Sequence, residues 1–213
     1  DTSRIDDVLD YWFKVDGVYT PNHKRWYGSD IDDEIRSKFG DLHDALAAGK
    51  LEHWQKHSTK GAMAYIIIGD QWSRNLKRKS PDSFAQDSKC LAVAKNLVKS
   101  KELLKLHIFE QAFALHPYEH SEDLDVQKES VALFEELLVR ATKAGLQNNV
   151  RGFTDFAHTH MLIIEMFGRF PHRNEVLGRK STDKEIKFEK DGGMWGFTQR
   201  YLKEKRKNAV KQK

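Results

Sequence analysis

The sequence predicts an all-α protein, and three observations predict it. Apolar residues recur with a helical period along nearly the whole chain, no alternating run is bounded by hairpin signals, and one segment is apolar on all sides, as a buried central helix is. Polar loops between the periodic segments set them up as helical hairpins, in a solenoid-like stack or an irregular bundle. No regular 34-residue repeat is legible.

Ile5, Val8, Leu9, Trp12 and Phe13 fall at i, i+3, i+4, i+7 and i+8 and define a first helix, which Lys14 to Gly28 interrupts. Ile31, Ile35, Phe39, Leu42 and Leu46 make a second stripe, with Asp30 as its expected N-cap, Gly40 as a break and Gly49 as its stop. The third helix, Gly61 to Arg74, is the one apolar all round. After a basic loop from Asn75 to Pro81, Leu91, Ala94, Leu97 and Val98 mark a fourth helix. A fifth, Leu103 to Leu115, is expected to end at Pro117, because proline lacks the amide donor and clashes with the preceding turn. Val126, Val131, Phe134, Leu137, Leu138 and Ala141 place a sixth helix over Asp123 to Ala144, closed by Gly145, and a seventh runs from Gly152 to Phe167. Thr182 with Glu185 three residues on is a capping-box pattern for a last short helix.

A chain of 213 residues is long enough for one sizeable core, and the reading is one all-helical domain over 1–198 with a basic C-terminal tail over 199–213. Gln199 to Lys213 carries seven Lys/Arg against one Glu, whereas the rest carries 29 Lys/Arg against 31 Asp/Glu. The high isoelectric point therefore belongs to the tail, which suits weak attraction to polyanions or a basic localisation signal, and nucleic acid is not the expected partner of the folded body. Cys90 is the only cysteine, so no intrachain disulfide forms and a reducing, cytoplasmic compartment is expected. The longest apolar run, Ala62 to Gly69, falls far short of the roughly 20 residues of a membrane span. The chain opens at Asp1 without Met, compatible with a removed upstream targeting segment.

Three polar clusters stand out. Asp70-Gln71-Trp72-Ser73-Arg74-Asn75 ends the most apolar helix and gathers Gln71, Arg74 and Asn75 within a turn; the alternative is a helix end with Arg74 on the negative dipole and Asn75 as a left-handed cap. His116-Pro117-Tyr118-Glu119-His120-Ser121-Glu122 holds two histidines, but Pro117 between them and the lack of a nearby third ligand argue against zinc; alternatively Ser121 N-caps the sixth helix and Glu122 favours its positive end. The third joins His160, read as facing inward, to the loop Phe167-Gly168-Arg169-Phe170-Pro171-His172-Arg173-Asn174. Two guanidinium forks around a proline suit a carboxylate or phosphate, or pair with core-facing carboxylates such as Glu165 or Asp70.

Phe156-Ala157, His160, Ile163-Ile164, the loop Phe167 to Asn174, Leu177-Gly178-Arg179 and Ser181-Thr182 resemble the signature of the domain of unknown function 924 family. So do Asp70-Gln71 with Arg74-Asn75, His120 to Leu124 with Gln127, Val8-Leu9 to Trp12-Phe13, and Trp26-Tyr27. The resemblance spans Ile5 to Gly196 and implies an irregular, right-handed superhelical stack of helical hairpins of the tetratricopeptide-like class. It implies no established activity. Trp72-Ser73 stands where the family more often has Phe-Pro, and the lysine-rich end lies beyond the shared domain. The three clusters are positions of the family motif, consistent with one shared polar site.

The expected function is binding of a small anionic ligand or an acidic peptide end through Gln71, Arg74, Asn75, His120, Arg169, His172 and Arg173. The alternative is a cofactor-independent, hydrolase-like enzyme with His120 or His160 as general base, Glu122 as orienting carboxylate and arginines stabilising negative charge. A structural scaffold is the third reading. No cofactor or metal is expected, because glycine-rich phosphate loops, nucleophile motifs and metal spacings are absent from the sequence.

Overall fold

The computed structural model describes the backbone of residues 2–211 and the side chains of residues 2–208. They form two compact units that divide between Tyr118 and Glu119. Apart from one two-stranded hairpin, every regular element among the described residues is helical, and none of these helices is long and apolar enough to cross a membrane.

In the first unit, α1 (Ile5–Phe13) buries the stripe that the sequence sets, Ile5, Val8, Leu9, Trp12 and Phe13. Within the expected interruption, β1 (Lys14–Val15) and β2 (Val18–Tyr19) pair antiparallel. Their turn residues Asp16 and Gly17 have φ of 49° and 76°, the backbone of a type I′ turn that Asp-Gly supplies at little cost. Strands of two residues are too short to show alternation, and the all-α class holds.

After α2 (His23–Tyr27), α3 (Asp32–Ala47) starts past Asp30, with Ile31 at the cap, and runs unbroken through Gly40. It ends at Gly49 as expected: the Gly49 amide donates to Leu46 O at 2.9 Å and the Lys50 amide to Ala45 O at 2.8 Å, the Schellman pattern. An unforeseen helix, α4 (Glu52–His57), is anchored by the fully buried Trp54.

The apolar middle segment is not one α-helix from Gly61. α5 (Thr59–Ile66) starts at the N-cap Ser58, whose Oγ accepts from the Gly61 amide at 3.0 Å. The backbone then widens into a π-helical stretch, Ile67–Trp72, and resumes as α6 (Ser73–Leu76). Such π-turns interrupt helices rarely and occur often at functional sites. Gly69 lies within it because a Cβ there would sit 2.6 Å from the Cys90 sulfur of the next long helix. Asn75 is helical rather than a left-handed cap, and Lys77 closes α6 at φ −119°.

A 3₁₀ turn at Pro81–Phe84 leads into α7 (Asp87–Lys99), and a second at Glu102–Lys105 precedes α8 (Ile108–Glu119). The expected Leu103 to Leu115 helix is thus shifted towards the C terminus, and Pro117 sits inside the last turn without ending it. The core is aromatic: Trp12 meets Trp72 at 6.2 Å and Phe113 at 5.8 Å, both edge to face, the arrangement that ring quadrupoles favour.

In the second unit, α9 (Leu124–Lys143) and α10 (Gln147–Phe167) form an antiparallel hairpin, stitched by Thr154 Oγ1 donating to Phe134 O at 3.3 Å. Asp123, not Ser121, caps α9, its Oδ1 accepting from the Asp125 and Val126 amides at 2.8 and 3.2 Å. The Leu146 amide donates to Ala141 O at 2.8 Å, ending α9 at Gly145 as expected. α10 starts before Gly152, and Gly168 closes it at φ 69°. The capping box at Thr182 and Glu185 opens α11 (Asp183–Lys190) as the sequence predicts.

α12 (Gly193–Lys211) includes both sides of the expected tail boundary. It lies along α10: Thr198 Oγ1 donates to Thr159 Oγ1 at 3.1 Å, Tyr201 stacks on His158 at 6.5 Å, and Lys205 Nζ pairs with Asp155 Oδ1 at 2.6 Å. Gln212, Lys213 and the side chain of Val210 lie outside the described residues. Ile163, Ile164, Phe170 and Phe188 form one core cluster of this unit, and Phe134, Leu137 and Val150 are fully buried in the hairpin.

Candidate functional site

The sequence-selected residues fall into the two units. Gln71, Arg74 and Asn75 belong to the first, and His120, Glu122, His160, Arg169, His172 and Arg173 to the second.

In the first unit the π-turn carries a buried ion-pair network. Asp70 is fully buried; Gln71 Nε2 donates to its Oδ2 at 2.6 Å, and Arg74 Nη1 donates to its carbonyl at 2.7 Å and lies 3.3 Å from Oδ1. Arg74 also forks onto Asp87, both bonds at 3.0 Å. Burial alone would lower the Arg74 pKa, but Asp70 and Asp87 overcome it and hold the guanidinium charged. Asn75 Nδ2 donates to Asp32 Oδ1 at 2.8 Å, and Arg78 pairs with the same carboxylate. His116 is buried, its Nδ1 3.0 Å from Ala112 O, and burial pushes its pKa down to about 4. Ser73 has its Oγ 3.0 Å from His43 Nε2.

In the second unit the loop after α10 is braced by two carboxylates. Arg169 forks onto Glu185 at 2.7 and 2.8 Å and donates to Lys180 O at 2.9 Å. Its partner is therefore neither Glu165 nor Asp70. The Arg169 fork and the Thr182 amide hold the Glu185 carboxyl down at about 2 despite its burial. Glu122 accepts from Arg179 at 2.7 and 3.0 Å and from the Phe170 amide at 2.7 Å. Burial would raise its pKa; Arg179 and the amide reverse this and leave it below the usual carboxylate range. Arg179 also reaches Asn174 Oδ1 at 2.9 Å and Phe170 O at 3.0 Å.

The remaining residues gather around Phe170. The His120 and His160 rings are 6.4 Å apart, His160 meets Phe170 edge to face at 5.5 Å, and His172 lies 5.6 Å from Phe170. Arg173, buried, has its guanidinium carbon 4.8 Å from the Phe170 centroid and donates through Nη2 to His120 O at 3.0 Å. His160 Nδ1 lies 2.8 Å from Phe156 O and 3.5 Å from Glu119 Oε1, a carboxylate only 2% exposed. The carbonyl can only accept a hydrogen bond, so in a neutral His160 ring Nδ1 carries the proton.

The structure thus brings His120, His160, His172 and Arg173 together, and commits Arg169 and Glu122 to ion pairs. It adds two residues that the sequence reading did not select, Glu119 beside His160 and Arg179 beneath the loop. The Arg179 signal lay in the Leu177-Gly178-Arg179 run; that of Glu119 was masked by its place after Pro117. Among the described residues no group of three or more His, Cys, Asp or Glu is placed to hold a metal ion. A groove of about 630 Å³ in the first unit, lined by Lys56, Thr59, Ala62, Val93, Leu97 and Lys99 among others, touches none of the selected residues.

A family model described as a bacterial protein of unknown function, DUF924, matches residues 8–193. A solved structure of a protein of unknown function from Agrobacterium tumefaciens superposes with a TM-score of 0.74 at 26% sequence identity, covering 88% of this chain and 98% of that one. No curated protein matches.

Proposed function

The chain belongs to the bacterial family of unknown function DUF924, and from that premise we propose that it binds a small anionic ligand, a carboxylate or phosphate or the acidic end of a peptide, through His120, His160, His172 and Arg173. The observation that carries this reading is the gathering of three imidazoles and a guanidinium around Phe170. Arg173 is held by the Phe170 ring and the His120 carbonyl, so little freedom remains to be lost on binding. Arg169, Arg179, Glu122 and Glu185 act as the frame that fixes this loop. Gln71, Arg74 and Asn75 brace the π-turn of the first unit.

A second reading is favoured by one contact. Glu119, 3.5 Å from His160 Nδ1, is placed to orient that ring as a general base in hydrolase-like chemistry, the role the sequence reading gave to Glu122. The hairpin of α9 and α10 supports reading the fold as a tetratricopeptide-like superhelical stack, and the buried free thiol of Cys90 suits a reducing, cytoplasmic compartment.

The test is thermal stabilisation of the full chain by panels of phosphorylated and carboxylated metabolites. A ligand at about 100 times its dissociation constant adds roughly 2.7 kcal/mol. The stabilisation should vanish in His120→Gln and His160→Gln variants that melt like the wild type in the absence of ligand. A hit that both variants retain would remove these histidines from the site, and turnover of the hit would select the enzymatic reading.

A further inference from the structure

From the outward face of α12 we infer a second binding surface, independent of the histidine site, for the phosphate backbone of nucleic acid. Thr198, Tyr201 and Lys205, spaced i, i+3 and i+7, dock on Thr159, His158 and Asp155 of α10. One stripe of α12 is therefore occupied, and the helical period turns Lys203, Arg206 and Lys207 to the opposite side, where all three are exposed. Three cations thus share the outward face of α12. Glu204 is the carboxylate among them, and Arg200 is tied back to Asp191 O at 2.8 Å.

The chemistry of this face selects among polyanions. A helix that lies on a membrane buries an apolar stripe in it, but Tyr201 and Trp195 are turned onto α10, and among the described residues no apolar side chain lies between Lys203 and Lys207. Protein interfaces are depleted of lysine and rely on aromatic or arginine anchors in pockets; the described residues of this face offer two lysines and an exposed arginine in no pocket, with no aromatic. Neighbouring helical positions place cations about 5 to 6 Å apart, a spacing suited to successive phosphates. Without an aromatic ring to stack on bases, the contact reads charge and not sequence.

The experiment is fluorescence anisotropy of a labelled 20-base-pair DNA duplex with the full chain. Neutralising three phosphates predicts an affinity that falls about 40-fold between 50 and 200 mM salt. The triple variant Lys203→Glu, Arg206→Glu, Lys207→Glu should lose binding with its melting temperature unchanged. A control reversing the exposed Lys50, Lys95 and Lys99 of the first unit, equal in charge, should retain it. Equal binding by the triple variant, equal loss in the control, tighter binding of polyglutamate than of DNA, or binding to phosphatidylserine vesicles alone would each overturn the inference.

Discussion

Replacing Glu122 by alanine is expected to destabilise the protein by about 2 to 3 kcal/mol, because it strands two groups at once. The Arg179 guanidinium, its side chain 23% exposed, loses both of its carboxylate bonds, and the Phe170 amide loses its acceptor. The partial exposure of the pair keeps the figure below that of a fully buried one. At about 2 to 4 °C per kcal/mol for a chain of this size, the melting temperature should drop by about 4 to 12 °C. Arg179→Ala should cost a similar amount, and the double variant less than the sum, since each change removes the partner that the other strands. Chemical denaturation of the three variants measures this. A cost below about 0.5 kcal/mol would mean that the pair behaves as an ordinary surface ion pair, and the loop would lose its proposed frame.

Acid should weaken the fold between about pH 6.5 and 4 by on the order of 3 kcal/mol through His116 alone. Burial holds the folded imidazole at about 4, below its ordinary 6.5. In that window the unfolded chain takes up a proton that the folded chain refuses, so stability is full above the unfolded pKa and falls with pH. Below it Glu185 takes over: held at about 2 by Arg169, its contribution is present above the ordinary glutamate pKa and is lost as pH falls towards 2. His116→Gln should flatten the upper limb of the stability profile, and Arg169→Gln the lower. A profile unchanged by His116→Gln would show that this histidine is protonated in the folded state.

Much of the helical pattern was legible because its signals are local. The stripe of α1, the glycine ends of α3 and α9, and the box at Thr182 and Glu185 each need only neighbours within a few residues. The π-turn was not, because Ile66, Ile67 and Ile68 are apolar on every side and an added residue per turn leaves no phase to detect. α4 has six residues, too few for a period, and α8 continues through Pro117 because proline near a helix end forfeits one bond, not the helix. In the candidate site the residue types were legible and their partners were not. Glu122 meets Arg179, and Arg169 meets Glu185, across stretches of chain that no spacing rule connects. Those pairings decide which guanidiniums brace the loop and which one is left beside the imidazoles.

The most direct measurement of the central claim is a histidine-selective ¹⁵N NMR titration of the full chain with inorganic pyrophosphate and with citrate. Resonances of His120, His160 and His172 should shift together and saturate with one dissociation constant, while His43 and His107 of the first unit stay in place. Arg173→Gln, if folded, should abolish saturation. Saturable shifts confined to the first-unit histidines, or no saturable shift at His120 and His160 with either anion, would contradict the assignment of an anion site to the cluster around Phe170.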